Sequence, residues 1–122
     1  MKILIVDDSS AMRMIVGRTL RKAGFEGHQV EEAADGAEAL AKIEAGAPDL
    51  VLADWNMPNM NGLQLLQALG EREDAPVFGF VTSEATSEMR AQANAAGARF
   101  MINKPFTPDS FRAALEPILG AG

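Results

Sequence analysis

Short apolar runs and helical patterns take turns along this chain five times, and no other feature of the sequence restricts its folding so strongly. The runs are KILIVDD (2–8), EGHQVEEAA (26–34), DLVLAD (49–54), APVFGFVT (75–82) and ARFMIN (98–103). Each is too short for a helix and rich in β-formers or tightly apolar residues, so each reads as a strand. The second is the most polar, as suits a strand near a sheet edge. In the first helical pattern Met12, Ile15, Val16, Thr19, Leu20 and Ala23 fall on one helical face. Later patterns carry Leu40 and Ile43, then Leu63, Leu65, Leu66 and Leu69, then Met89 and Ala93. Gly24, Gly46, Gly70 and Gly97 follow these four patterns, where left-handed C-caps are expected. A fifth helix opens at Thr107-Pro108-Asp109, a capping residue, a first-turn proline and an acid near the positive helix end. Pro117 is expected to end or kink it near Glu116. The resulting order, βαβαβαβαβα, predicts an α/β fold with a parallel sheet and helices on both faces. In such sheets the site lies outside the carboxyl ends of the strands.

Bulk properties narrow the function classes. A length of 122 residues predicts a single domain over 1–122, and 48% hydrophobic residues suffice for a real core. The net charge of -6 argues against nucleic-acid binding, which needs a basic face. No apolar run approaches the ~20 residues of a membrane span. Met1-Lys2-Ile3 leads straight into a strand-like run without signal-peptide architecture. Cysteine is absent, so neither disulfides nor thiolate metal sites can form. A monomeric cytoplasmic protein is the expectation. His28, the single histidine, is expected to be a solvated side chain without a role.

The strand ends carry the chemistry. Strand one ends in Asp7-Asp8, strand three in Asp54, strand four in Thr82-Ser83 and strand five in Lys104-Pro105. Singly, each acid could simply cap a strand or a helix. Together, at the tips that the fold brings to one edge, three carboxylates repel and one lysine cannot neutralise them. An oxygen-only set without His or Cys favours a hard divalent cation, Mg²⁺ above all. That combination suits phosphoryl transfer to a carboxylate, with Asp54 attacking in line and Thr82 and Lys104 contacting the transferring group.

These matched positions resemble the receiver domains of two-component response regulators, and the resemblance covers the whole chain. It implies a flavodoxin-like (βα)5 three-layer sandwich with strand order 2-1-3-4-5. It implies a signalling switch rather than an enzyme with an external substrate, one that catalyses only its own phosphorylation and dephosphorylation. Asp54 would accept a phosphoryl group from a histidine kinase. Asp8, Asp54 and the backbone carbonyl of Asn56 would hold Mg²⁺, with Asp7 supporting through water. Thr82 would bond a phosphoryl oxygen, Lys104 would pair with it, and the Lys104-Pro105 bond would be cis. VDDSSAMR and DWNMP are most similar to the chemotaxis subgroup. Asn56 and Glu84 occupy the positions that tune hydrolysis of the acyl phosphate. The output partner would be a protein such as a flagellar motor component. A receiver that acts as a phosphate sink, or binds a partner unphosphorylated, is the alternative.

The sequence departs from the family pattern at Met101, three before the lysine, where an aromatic residue usually reports phosphorylation. Alternation points Phe100 to the opposite face, so it cannot substitute. Asn103 is more polar than usual there. Trp55 is expected to pack beside the site, Met57 and Met60 are candidates to face a partner, and Gly79 is expected to admit a closely packed helix. Two other phosphate-handling classes fit poorly. A haloacid dehalogenase-type phosphatase needs D-x-D spacing, whereas Asp7 and Asp8 are adjacent. A flavin mononucleotide binder needs a hydroxyl- and glycine-rich loop where this chain has acids.

Overall fold

The computed structural model describes residues 1–25, 27–46, 48–70, 75–83 and 85–119. Its strands are β1 (Lys2–Val6), β2 (Gln29–Ala33), β3 (Leu50–Ala53), β4 (Val77–Thr82) and β5 (Phe100–Asn103). Its helices are α1 (Ser10–Lys22), α2 (Gly36–Gly46), α3 (Gly62–Leu69), α4 (Ser87–Ala96) and α5 (Pro108–Leu119). The strands pair in parallel in the order β2-β1-β3-β4-β5, a flavodoxin-like α/β fold. The most polar run, β2, is an edge strand.

Period-two alternation divides the core in two. Ile3, Ile5, Leu50, Leu52, Val81 and Ile102 face the helices α1 and α5 and meet Val16, Leu20, Phe111 and Leu115. Leu4, Val6, Val51, Ala53, Phe78 and Phe80 face α2, α3 and α4 and meet Ala39, Ile43, Leu65, Leu69 and Ala93. Both layers are almost fully buried, and each such Leu, Ile or Phe contributes about 1.5–3 kcal/mol of transfer free energy. Because β1 and β3 are covered on both faces, their tips are fixed rigidly.

Five local expectations need correction. Ile15 is 43% exposed: α1 buries only the narrower stripe Val16, Thr19 and Leu20. Gly46 lies inside α2 with no left-handed turn, and Gly70 has φ 57 but ψ -144. Gly24 and Gly97 do close their helices with positive φ. There the next amide reaches back, Phe25 to the Leu20 carbonyl and Ala98 to the Ala93 carbonyl, both at 2.9 Å. α5 runs through Pro117 to Leu119, because a proline so near the C-terminal end forgoes only one late helical bond, on an exposed face. His28 is half-buried, and its Nδ1 atom finds no hydrogen-bond partner among the described residues. Gly79 makes room for a ring, not a helix. A Cβ there would stand 2.1 Å from the Phe100 ring on the neighbouring strand.

Candidate functional site

Parallel pairing in register carries β1, β3, β4 and β5 to a common edge. Asp7 still donates its N–H to the Ala33 carbonyl of β2 at 3.1 Å, and Asp54 donates to the Val6 carbonyl of β1 at 2.9 Å. The Lys104 N–H bonds the Thr82 carbonyl at 2.9 Å. The ladder thus continues one residue past β1, β3 and β5 and holds Asp7, Asp54 and Lys104 by their own backbones.

Carboxylate oxygens of Asp7, Asp8 and Asp54 lie within 4.8 Å of one another. Asp7 is buried, Asp54 half-buried and Asp8 exposed, so the cluster opens to solvent on one side. The Lys104 ammonium sits over it, 3.1 Å from Asp7 Oδ2 and 3.5 Å from Asp54 Oδ2. One cation faces three carboxylates, which leaves a net negative, oxygen-lined cleft suited to a hard divalent ion. Burial pushes the Asp54 carboxyl above its ordinary range; the Lys104 charge pulls it back and the Asp7 charge pushes it up again. Thr82 is fully buried at the end of β4. The Lys104-Pro105 peptide is cis.

Local backbone chemistry turns the chain at each tip. Asp7 Oδ1 accepts the Ser9 N–H at 2.9 Å, and Ser9 Oγ accepts the Met12 N–H at 3.1 Å, which starts α1 directly after the acid pair. Asp54 Oδ1 accepts the N–H of Trp55 at 2.8 Å. Trp55 is buried beside the site, its ring 4.8 Å from that of Phe80. The following loop is pinned on both sides. Asn59, at φ 67, donates to Asp35 Oδ2 at 2.8 Å, and the Gly36 N–H bonds the Met60 carbonyl at 3.0 Å. Met57 and Met60 are half-buried against the α2–α4 core layer. Asn61 and Gln64 form a reciprocal capping box that opens α3.

Two parts of this apparatus have no role in the sequence-based expectations. Gly62 packs so closely that an added Cβ would lie 2.3 Å from the Asp54 carbonyl oxygen. Arg13 reaches from α1 to the Asp7 carbonyl and to Glu32. An asparagine-glycine pair after the acid hints at the first; nothing in the local sequence signals the second. Asp7, Asp8, Asp54 and Lys104 are brought together as expected. Asn56 is exposed next to Trp55, Met101 is half-buried against the α2–α4 layer, and Phe100 lies on the opposite face. The expectation for Glu84 lies outside the described residues.

The sequence matches the response regulator receiver domain over residues 3–116. The chain belongs to that family. The receiver is 42% identical over 124 residues to chemotaxis protein CheY1 of Helicobacter pylori, covering 98% of each chain. It is 44% identical over 121 residues to chemotaxis protein CheY-3 of Vibrio cholerae, covering 97% of this chain and 91% of that one. A solved structure of Vibrio cholerae chemotaxis protein CheY4 superposes on the receiver with a TM-score of 0.85 at 36% identity, covering 97% and 98% of the two chains. No helix among the described residues is long and apolar enough to cross a membrane.

Proposed function

We propose that this receiver is a stand-alone, Mg²⁺-dependent signalling switch that accepts a phosphoryl group on Asp54 from a histidine kinase. The observation that carries the reading is the position of the Asp54 carboxylate, half-buried within a three-carboxylate cluster with Lys104 Nζ 3.5 Å away. In this reading an Asp54 oxygen attacks phosphorus, the P–N bond of the phosphohistidine breaks, and its electron pair leaves with the imidazole nitrogen. An acyl phosphate forms. Lys104 turns from the carboxylates to a phosphoryl oxygen, and the Thr82 hydroxyl donates to another. Asp8, Asp54 and the Asn56 carbonyl would hold the metal, with Asp7 acting through water. Bound there, Mg²⁺ offsets the charge of the carboxylates and of the incoming phosphoryl oxygens. Asn56 and Glu84 occupy the positions that in receivers tune hydrolysis of the acyl phosphate, and would set how readily water attacks it.

Likeness to chemotaxis proteins along nearly the whole chain supports a chemotaxis pathway, with a flagellar motor component as one output partner. Met101, in place of the usual aromatic ring, favours a second reading in which the receiver drains phosphate from a kinase shared with another regulator. Intact mass after incubation with Mg²⁺ and a small-molecule phosphodonor tests the chemistry. Wild type gains one phosphoryl group and Asp54→Asn gains none; equal uptake by the variant overturns the assignment.

A further inference from the structure

We propose that Arg13 is a positioning residue for the acid pair, and that its ion pair with Glu32 keeps the guanidinium off the carboxylates that would take the cation. The inference rests on the metal-binding reading above. Arg13 projects from the first turns of α1, with a side chain only 16% exposed. Its Nη1 donates to the backbone carbonyl of Asp7, and its Nε donates to Glu32 Oε1 on β2 at 2.8 Å. Asp7 is now held at every polar group of its backbone and side chain. Its N–H bonds Ala33, its Oδ1 accepts Ser9, its Oδ2 faces Lys104, and its carbonyl accepts Arg13.

The carbonyl contact reaches beyond Asp7. That carbonyl belongs to the Asp7–Asp8 peptide plane, and the plane fixes the Asp8 N and Cα atoms from which its side chain departs. The Asp8 carboxylate itself makes no hydrogen bond or ion pair among the described residues. The position of its Cα, and with it the reach of the carboxylate into the cluster, therefore rests on the peptide that Arg13 holds. A planar, forked guanidinium can bond a carbonyl and a carboxylate at once, which a lysine ammonium cannot do with the same fixed geometry. Glu32 is anchored in turn, since its backbone carbonyl accepts Lys42 Nζ, and Lys42 pairs with Glu38 at 3.5 Å.

Positioning and simple electrostatics predict opposite signs. Arg13 is a positive charge beside a cation site, so Coulomb repulsion alone makes its removal tighten Mg²⁺ binding. Loss of a positioning contact weakens it, on the order of tenfold by comparison with other groups that orient metal ligands. The experiment is a Mg²⁺ titration of the full chain, read by Trp55 fluorescence, with backbone amide shifts of the metal-free protein recorded alongside. Arg13→Met should weaken binding by about that factor and move the Asp8 and Ser9 amide resonances before any metal is added. Arg13→Lys should recover only part. The double variant Arg13→Met/Glu32→Gln removes a charge of each sign, so any loss it shows comes from geometry. Binding by Arg13→Met equal to or tighter than wild type, with unmoved Asp8 resonances, overturns the inference. A wild type with no saturable response to Mg²⁺ overturns the metal-binding reading itself, and this inference with it.

Discussion

In the proposed phosphoryl transfer, Asp54 carries two opposed demands at the level of a single residue. A nucleophilic carboxylate must be ionised, yet burial and the nearby Asp7 charge favour its protonated form, with Lys104 only partly compensating. The folded protein therefore binds this proton more tightly than the unfolded chain does. Stability contributed by the group is present below the ordinary carboxylate value of 3.8 and declines as pH rises through the raised folded value. Asp54→Asn should relieve that loss. We expect metal-free Asp54→Asn to melt a few degrees above wild type at neutral pH, corresponding to about 1 kcal/mol, with the gap closing at acid pH. A lower melting temperature at neutral pH would show that the Lys104 contact outweighs the repulsion. Asp35 has the reverse sign. The Glu38 N–H, then the Asn59 amide, hold its carboxyl below the ordinary range, so its contribution is present above the ordinary value of 3.8 and is lost as pH falls through the depressed folded value.

Between elements, two glycines decide how closely the site's supports approach. Gly62 opens α3 against the backbone of Asp54, and a backbone oxygen 2.3 Å from an added Cβ cannot swing aside. Gly62→Ala should therefore displace α3 or Asp54, costing about 1–3 kcal/mol and slowing phosphodonor uptake; a normal uptake rate at lowered stability would mean that only α3 moves. At Gly79 the obstructing atoms belong to a side chain, the Phe100 ring of the adjacent strand. Gly79→Ala should expel that ring at a similar cost, about 1–3 kcal/mol. Shrinking the ring with Phe100→Leu in the same chain should recover part of the loss. Strict additivity of the two substitutions, measured by denaturant unfolding, would show that the glycine and the ring are not coupled.

For the whole molecule, cation binding and signalling should both register as shifts in equilibria. A ligand that binds only the folded state adds roughly 2.7 kcal/mol at a hundred times its dissociation constant. Saturating Mg²⁺ should raise the melting temperature of wild type by several degrees and leave Asp8→Ala unmoved; an equal rise in that variant would place the ion elsewhere. In the proposed switch, signal output would run through Met101, half-buried in β5 with Phe80 as its register partner on β4. A flexible thioether chain fills space in several rotamers and so separates two states less sharply than a ring does. We expect coupling between Asp54 and the α4–β5–α5 surface toward the low end of ~1–3 kcal/mol. Amide shifts with beryllofluoride and Mg²⁺, together with the affinity of an output partner for both forms, measure it. A gain above roughly a hundredfold exceeds that range and would show that Met101 switches as a ring does.

Much of the fold was legible because it rests on local chemistry repeated along the chain. Five apolar runs with helical patterns between them leave a parallel α/β sheet as the arrangement that buries every apolar face, and four of the five lead into residues of the proposed site. The proposed site residues Asp7, Asp8, Asp54, Thr82 and Lys104 could thus be picked out from their places at strand ends. Contacts between residues distant in sequence were not legible. Phe100 fills the notch of Gly79 only because β5 lies beside β4 in that register. Ile15 fits the periodic face of α1 yet stays in solvent, because sheet and α5 cover a narrower stripe than the pattern allows. Arg13 meets Glu32 because β2 runs alongside β1, and periodicity within one helix says nothing about which strand its polar side faces. Hydrophobic period and capping chemistry are properties of neighbours in the chain, so sequence determines them; register and the reach of a long side chain are properties of neighbours in space, and only the packed sheet decides those.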